Sequence, residues 1–340
     1  MFTARCSQHQ VILKEPTVLV TGGAGAIGSH LVKQLIENNC TVVVLDDLSS
    51  GRRENCPNDA RVIFVKGSIL DINLLEQIFT KYPIELVFHM AAHFANQNSV
   101  EHPEADLLTN TLGTLRLLEF SRRASVNRFV YASSSCIYGN STGLISADFI
   151  TKLETPYAIS KLSGEGYVHF YHHFHKLKTT VVRYFNSYGP YDRPGPYRSV
   201  IPNFIWRAMN RQPLIITGTG KETRDFTYVE DIVHGTLLAA TQESGIGQIF
   251  DIGTGIETEI IQLAEKINQI TGNPAGIQYR ERRKWDDITR RKANIEKAQK
   301  LLNYKPQVSL EEGLKRTYQW LQNESLSYTY PGRESCIPMF

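Results

Sequence analysis

The sequence predicts an α/β fold, with a doubly wound parallel sheet followed by a smaller α/β lobe. Short runs of β-branched residues alternate with longer helix-like segments from Thr17 onward, the pattern of a parallel sheet with helices on both faces. These runs are nearly continuous in apolar residues, as expected for strands buried on both sides. A glycine-rich turn also follows the first run directly.

Six runs predict the strands of this sheet. They lie at 17–21, 41–46, 61–67, 85–90, 128–135 and 179–185. In the segment after the first run, apolar residues recur at helical spacing, at Leu31, Val32, Leu35 and Ile36. The segment 107–120 repeats this spacing over several turns, so each predicted helix can cover one face of the sheet.

The pattern changes after Asn186 into Pro- and Gly-rich stretches, which precede two helical runs near 258–270 and 309–322. This change predicts a smaller second lobe. The predicted division is 15–185 plus about 228–256 for the sheet domain, about 186–227 and 257–324 for the second lobe, and 1–14 and 325–340 for the tails.

Composition and charge argue against several classes of protein. The 340 residues are 41% hydrophobic and 21% charged, which is typical of a globular chain with a sizeable core. A net charge of +3 is too mild to indicate nucleic-acid binding. Five scattered cysteines indicate reduced thiols, and neither an apolar membrane-spanning run nor a signal-like start is present. We therefore expect a cytoplasmic protein with no nucleic-acid or membrane partner.

No metal site is predicted. Four histidines near the end of one predicted helix have spacing that resembles a metal site, but no cysteine or carboxylate pattern completes it. They are His169, His172, His173 and His175.

The glycine-rich turn predicts a dinucleotide site of the Rossmann type. Gly22, Gly25 and Gly28 permit a tight turn, close approach of a pyrophosphate and close helix packing, and N–H groups at the helix start attract the anion. Asp46 follows Gly28 by 18 residues, at the end of the second run, where its carboxylate can accept both ribose hydroxyls. Because that carboxylate would repel a 2′-phosphate, the predicted cofactor is NAD.

A second constellation predicts acid–base chemistry. Tyr157 and Lys161 are four residues apart on one helix face, so the ammonium can lower the pKa of the phenol and let it act as a base. Serines at 133–135 end the preceding strand and can share a substrate hydroxyl. The chain order of turn, serine strand and Tyr–Lys pair favours a catalytic site over a surface pair.

Over about 17–322 the sequence resembles the nucleotide-sugar epimerase/dehydratase family of extended short-chain dehydrogenases/reductases. The motifs are VTGGAGAIGSHL at 20–31, LDDLSSGRREN at 45–55, FHMAAH at 88–93, PYAISK at 156–161, RYFNSYGP at 183–190, RDFTYVEDI at 224–232 and SLEEGLKRT at 309–317. The resemblance implies that tightly held NAD oxidises a sugar hydroxyl, with Tyr157 as the base, and that the hydride returns after the keto-sugar has changed.

The resemblance also implies the other site residues. Ser134 takes the Ser/Thr role, with Ser135 left open as the alternative. The implied cofactor-binding residues are Gly22, Gly25, Ala26, Ile27, Gly28, Asp46, Asp47, Ser68, Ile69, Met90, Ala91, Ala92, Asn110, Tyr157, Lys161 and Tyr184. The implied residues for a nucleotide-diphosphate sugar are Ser134, Asn186, Arg224, Arg283, Asp286 and Arg290, with arginine suited to bidentate pairing with phosphate.

The sequence departs from the family pattern at three positions. Cys136 stands where dehydratases and decarboxylases carry glutamate, so an acid for elimination is missing and an epimerase is favoured. Ser68 stands where many relatives have aspartate at the adenine. Arg290 occupies a position that in relatives limits the bulk of the sugar, which leaves open a uronic acid or an outward-facing side chain.

These features together predict an NAD-dependent epimerase that inverts the C4 hydroxyl of a UDP-hexose or UDP-hexuronic acid. A nucleotide-sugar reductase or dehydratase of the same family is the first alternative, and a non-catalytic NAD-sensing regulator is the second. The helices at 100–122 and 155–175 resemble those that pair in the family's dimer, so a homodimer is expected.

Overall fold

The computed structural model describes residues 15–139, 153–283, 286 and 288–327. Its strands within these ranges are β1 Thr17–Thr21, β2 Thr41–Asp46, β3 Val62–Lys66, β4 Ile84–His89, β5 Arg128–Ser134, β6 Thr179–Tyr184, β7 Ser187–Tyr188, β8 Leu214–Thr217, β9 Thr223–Arg224, β10 Thr227–Tyr228, β11 Gln248–Ile252, β12 Thr258–Glu259, β13 Ile277–Arg280 and β14 Arg290–Arg291.

The α-helices of the same ranges are α1 Ala26–Glu37, α2 Ile72–Lys81, α3 Asn96–Glu101, α4 Pro103–Asp106, α5 Thr114–Arg123, α6 Pro156–His173, α7 Val200–Met209, α8 Val229–Thr241, α9 Ile260–Thr271, α10 Glu296–Leu302 and α11 Leu310–Ser327. A π-helical segment, Leu107–Gly113, joins α4 to α5. No helix in the described part of the chain is both long enough and apolar enough to cross a membrane.

The main sheet has seven parallel strands in the order β11-β6-β5-β4-β1-β2-β3. The predicted doubly wound α/β class is confirmed, and all six predicted strands are present. The seventh strand, β11, is not predicted, because Gln248 and Asp251 interrupt its apolar run.

Alternate residues of the central strands pack into opposite apolar layers. Val18 and Val20 of β1 lie in a layer with Leu31 of α1 and Ile232 of α8. Leu19 lies in the other layer, which α2, α5 and α6 cover. The sheet is therefore buried on both faces, which explains why its strands have nearly continuous apolar sequences.

The second half of the fold has its own apolar cluster, formed mainly by α7, α9 and α11. Three small strand groups, β12-β9-β14, β13-β8 and β10-β7, lie beside it. Because the main strands are parallel, their carboxyl ends lie along one edge of the sheet, and a cavity of about 1560 Å³ lies between this edge and the small strands. The domain limits given above stay a prediction.

Candidate active site

The cavity brings together nearly all of the predicted site residues. Every predicted cofactor residue except Asn110 lines it, and so does every predicted substrate residue except Arg290. Side chains at the ends of β1, β2, β4 and β5 line one half. Residues of β9 and β14 line the other, together with 280–283, 286 and 288. The cavity can therefore hold an extended ligand that reaches from the sheet to the second lobe.

The glycine turn has the geometry that a pyrophosphate requires. Gly22 has φ +69°, and a Cβ there would lie 2.6 Å from the Ala91 nitrogen. A Cβ on Gly28 would lie 2.2 Å from the Gly22 oxygen. Helix α1 begins at Ala26 with no side-chain cap, so its first N–H groups are left for an anion in the cavity. A side chain at either position would clash with neighbouring backbone, so this tight turn requires glycine there.

Asp46 is oriented by the backbone around it. Its Oδ2 accepts a hydrogen bond from the Ala24 N–H at 2.9 Å, and its Oδ1 accepts one from the Leu48 N–H at 2.8 Å. The carboxylate is 7% exposed, and burial raises its pKa. Each oxygen keeps a further lone pair, so the group fits the two hydroxyls of a ribose.

Asn110 lies behind the cavity wall, within the π-helical segment. Its amide Nδ2 lies within hydrogen-bonding distance of Asp106 Oδ1 (2.8 Å), Ser160 Oγ (3.1 Å) and the His93 carbonyl (3.2 Å). Its Oδ1 accepts from the His93 N–H at 2.8 Å. Such segments are frequent at functional sites. Asn110 therefore links the loop after β4 to α6, and its direct role toward a cofactor stays a prediction.

Tyr157 and Lys161 occupy the first turns of α6. Thr155 caps this helix by accepting from the Ala158 N–H, and Pro156 stands at its first position. The Tyr157 side chain is 6% exposed and that of Lys161 is 2% exposed. The Lys161 Nζ donates to the Ala132 carbonyl at 2.9 Å and lies 5.8 Å from the centre of the Tyr157 ring.

Burial dominates the proton affinities of this pair. Desolvation raises the pKa of Tyr157 well above its usual range, although a hydrogen bond with Ser134 opposes the shift. Burial also lowers the pKa of Lys161 to about 8. The net shift in the pKa of Tyr157 is therefore upward in the chain alone, and the lowering of that pKa by the Lys161 ammonium stays a prediction.

Ser134 and Ser135 differ in their surroundings. The Ser134 Oγ lies at the end of β5, hydrogen-bonds Tyr157 and accepts from the Cys136 N–H at 3.2 Å. Ser135 lines the same cavity but is only 2% exposed. The contact with Tyr157 favours Ser134 as the partner of a reacting hydroxyl.

A buried polar network holds the ends of β5 and β6 together. Glu165 of α6 accepts from Ser133 Oγ at 2.5 Å and from Arg183 Nε at 2.9 Å. Arg183 Nη1 donates to the Tyr138 hydroxyl at 2.7 Å, which donates to Asp251 of β11 at 2.6 Å. This network positions the residues on either side of Ser134. No sequence motif indicates this network, because its members are far apart in the chain.

His89 belongs to a second buried chain of hydrogen bonds beneath the cavity. The Thr114 hydroxyl donates to the Asn110 carbonyl at 2.6 Å, so its oxygen accepts from His89 Nε2 at 2.9 Å. His89 Nδ1 then accepts from the Thr21 hydroxyl at 2.8 Å, whose oxygen accepts from the Ala91 N–H at 3.3 Å. Burial lowers the pKa of His89 to about 3, so the ring is neutral.

The second lobe contributes half-buried arginines. Arg224 of β9 has its Nη2 3.6 Å from Asp286 Oδ1, and burial lowers its pKa to about 10. Arg283 lines the cavity beside them. Asn186, at φ +27°, donates from its Nδ2 to the Asp225 carbonyl at 3.1 Å. The arginines offer donors that suit phosphate oxygens.

Arg290 does not line the cavity. Its side chain is 60% exposed and pairs with Glu257, with Nε 2.9 Å from Oε1. The next residue, Arg291, is 7% exposed and lines the cavity in its place. Successive residues of a strand face opposite sides, so an error of one position exchanges an outward side chain for an inward one. The outward alternative that the sequence left open for Arg290 is the correct one.

The predicted helix that carries the histidine cluster is α6. His169 and His173 lie with their ring centres 4.2 Å apart on this helix. Within the described ranges, no group of three or more His, Cys, Asp or Glu side chains could hold a metal ion.

Residues 18–253 match the model of the NAD dependent epimerase/dehydratase family. The chain is 37% identical over 310 residues to a putative UDP-glucose 4-epimerase of Methanocaldococcus jannaschii, covering 91% of this chain and 99% of that protein. It is 34% identical over 322 residues to a UDP-N-acetyl-alpha-D-glucosaminuronate decarboxylase of Bacillus cytotoxicus, covering 89% and 97%. The same fold thus carries more than one reaction among the relatives.

Solved structures agree with this relationship. The fold matches an epimerase of Methanothermobacter thermautotrophicus with a TM-score of 0.88 and 47% identity, covering 92% of this chain and 94% of that one. It also matches a UDP-glucuronic acid 4-epimerase of Bacillus cereus in complex with UDP-glucuronic acid and NAD, with a TM-score of 0.81 and 30% identity, covering 91% and 99%.

Proposed function

The chain belongs to the NAD dependent epimerase/dehydratase family, and from this we propose that it inverts the C4 hydroxyl of a nucleotide-linked sugar, either a UDP-hexose or a UDP-hexuronic acid. The observation that carries the proposal is that Ser134, Tyr157 and Lys161 line the same cavity as the glycine turn. NAD is the family's cofactor, and the relative from Bacillus cereus binds it together with a UDP-sugar.

The residues of the sheet edge fit this cofactor. The first N–H groups of α1 would hold the pyrophosphate, and Asp46 would accept the hydroxyls of the adenosine ribose. Lys161 would bind the nicotinamide ribose, next to Tyr184, whose hydroxyl is fixed by Thr236 Oγ1 at 2.8 Å. When bound, NAD supplies the chemistry of accepting a hydride from C4 and giving it back.

The chain's own groups move the proton. Tyr157 takes the proton of the C4 hydroxyl, and Ser134 donates a hydrogen bond to the same sugar oxygen. Because the phenol is buried, its deprotonation requires positive charge in the same cavity, and the Lys161 ammonium, held by the Ala132 carbonyl, supplies part of it.

The second lobe supports turning of the sugar. Arg224 and Arg283 would hold the diphosphate while the 4-keto sugar rotates to present its other face. Cys136, which lies near Tyr157, favours epimerisation over elimination or decarboxylation, because a thiol is a weak proton donor compared with the glutamate of those relatives.

We propose a homodimer, supported by an apolar face on α6 and the neighbouring π-helical segment. Large apolar side chains there are 37% to 55% exposed, at Leu107, Leu108, Ile159, Leu162, Tyr167 and Phe170. Exposed clusters of this kind mark protein–protein interfaces. A cytoplasmic location also stays a prediction; it agrees with the free thiols of Cys40, Cys56 and Cys136.

The proposal is tested by incubating purified protein, without added NAD, with UDP-glucose, UDP-N-acetylglucosamine, UDP-glucuronic acid and the corresponding dTDP, CDP and GDP sugars. Proton NMR reports the identity and stereochemistry of each product. We expect one or more substrates to relax to a mixture with the C4 epimer. Conversion only when NAD(H) is supplied stoichiometrically would indicate a net oxidoreductase, and no conversion under either condition would favour the NAD-sensing regulator.

A further inference from the structure

Arg291 lines the cavity but has no role in the mechanism proposed above. It pairs with Arg224 across strands β14 and β9, so the two side chains share a face of the small sheet. Its guanidinium donates to Cys136 Sγ at 3.5 Å and to the Gly139 carbonyl at 3.5 Å. Only 7% of Arg291 is exposed, and its side chain lines the cavity.

The charge of Arg291 is poorly compensated. Its Nε has no hydrogen-bond partner among the described residues, and no carboxylate in those ranges lies within 4.0 Å of its guanidinium. Arg224, by contrast, has Asp286 at 3.6 Å. Glu154 and Arg291 both line a small neighbouring cavity. A buried guanidinium without an anion is costly, which points to a ligand that supplies one.

Arg291 lies at the reacting end of the cavity. Cys136, whose thiol contacts Arg291, donates a hydrogen bond from its backbone N–H to Ser134 Oγ at 3.2 Å. Ser134 in turn hydrogen-bonds Tyr157. An anion on Arg291 would therefore lie near the hydroxyl that Ser134 and Tyr157 hold. In a nucleotide-linked hexose, the substituent of C5 is the group nearest to the C4 hydroxyl on that side of the ring.

We propose that Arg291 binds a carboxylate at C6 of the sugar, so that the preferred substrate is a nucleotide-linked hexuronic acid. This inference rests on the proposed function and narrows its substrate. The planar guanidinium, with its free Nε–H, offers two parallel donors to a carboxylate, which a neutral hydroxymethyl group cannot match. The sugar would thus be recognised by Arg291, while Arg224 and Arg283 remain for the diphosphate.

The test compares the binding of UDP-glucuronic acid, UDP-glucose and UDP to the NAD-loaded protein by calorimetry. We expect the wild type to prefer UDP-glucuronic acid over UDP-glucose. Arg291→Met should weaken binding of the acid about 100-fold, because one partner of a buried charge pair is lost. It should change binding of UDP-glucose and UDP by less than about threefold.

Two further variants control the experiment. Arg290→Met removes an arginine on the same strand that faces solvent and pairs with Glu257, and it should leave all three affinities unchanged. Arg291→Lys keeps the positive charge but loses the paired donors of the guanidinium, so it should weaken binding of the acid by less than Arg291→Met does. If Arg291→Met does not fold, as judged by its thermal unfolding, the lysine variant carries the comparison.

The outcomes separate this inference from the proposed function. Equal weakening of all three ligands would show that Arg291 serves the diphosphate, and no weakening would show that it only packs; either result overturns the proposal. Selective weakening of the acid together with a pentose product would uphold the carboxylate site while replacing epimerisation by decarboxylation. Selective weakening without any turnover would uphold the site and contradict the enzymatic proposal.

Discussion

The proposed chemistry depends on the phenol of Tyr157, and the surroundings of this group disfavour its deprotonation. Burial raises its pKa, the Ser134 hydroxyl lowers it in part, and the Lys161 ammonium lies beside its ring. A base of this kind is inactive until positive charge accumulates around it. We therefore expect turnover only when the cavity is loaded.

Tyr157→Phe removes the base while leaving the ring that packs in the wall. We expect turnover to fall by about 10²–10⁴-fold, because general base catalysis contributes about that much. The NAD content of the purified variant should equal that of the wild type, since the glycine turn and Asp46 are untouched. NMR assays and the absorbance of released cofactor measure both quantities. Wild-type turnover in this variant would remove Tyr157 from the mechanism.

The neighbouring serines give a matched pair of variants. Ser134→Ala should lower kcat by about 10-fold or more, because the contact to the reacting oxygen and to Tyr157 is lost. Ser135→Ala should have a smaller effect, since this side chain has no such contact with Tyr157 among the described residues. Initial rates at saturating substrate distinguish the two. A larger loss in Ser135→Ala would reverse the assignment.

At the scale of the element, strand β14 shows how far a sequence motif can locate a side chain. The arginines at 290 and 291 are adjacent in sequence, but one faces Glu257 in solvent and its neighbour faces the cavity. Only the pairing of Arg291 with Arg224 on β9 decides which of them points inward. A spacing rule carried over from relatives has no information on this register.

Strand β4 ends at His89, whose buried neutral ring makes stability depend on pH. Its folded pKa, about 3, lies below the value of about 6.5 for an unfolded histidine. The unfolded state therefore binds the extra proton, and stability that is complete above pH 6.5 is lost as the pH falls from 6.5 toward 3.

His89→Gln tests this dependence, because glutamine can donate and accept but does not titrate. In denaturant titrations between pH 6.5 and 4, the free energy of unfolding of the wild type should fall more steeply than that of the variant. The difference in slope should approach one proton, or about 1.4 kcal/mol per pH unit. Equal slopes would mean that His89 does not titrate on unfolding.

For the whole molecule, the apolar face of α6 and the segment 107–113 predicts self-association. Leu162→Glu places a charge in this face, and it should convert a dimer into a monomer. Ile72→Glu is the matched control, because Ile72 is 51% exposed on α2, which lies outside that face. Sedimentation equilibrium measures the mass. A monomeric wild type would contradict the dimer, and a dimeric Leu162→Glu would place the interface elsewhere.

The sequence predicts the strands around the glycine turn well, because Val18, Leu19 and Val20 face apolar layers on both sides. The less apolar β11 gives no such signal. Asp46 can also be predicted, because its distance in sequence from the glycine turn is typical of a ribose-binding carboxylate. The network around Glu165 and the inward turn of Arg291 are not, since both arise from contacts between distant segments.

The most direct test of the account uses UDP-glucose and UDP-glucuronic acid deuterated at C4, incubated in ordinary water with the purified protein and no added NAD. We expect the C4 epimer to appear and to keep its deuterium, because the hydride leaves and returns within one cavity while only the hydroxyl proton passes through Tyr157. Epimer in which the C4 deuterium has been replaced by solvent hydrogen, or an oxidised product without epimer, would contradict it.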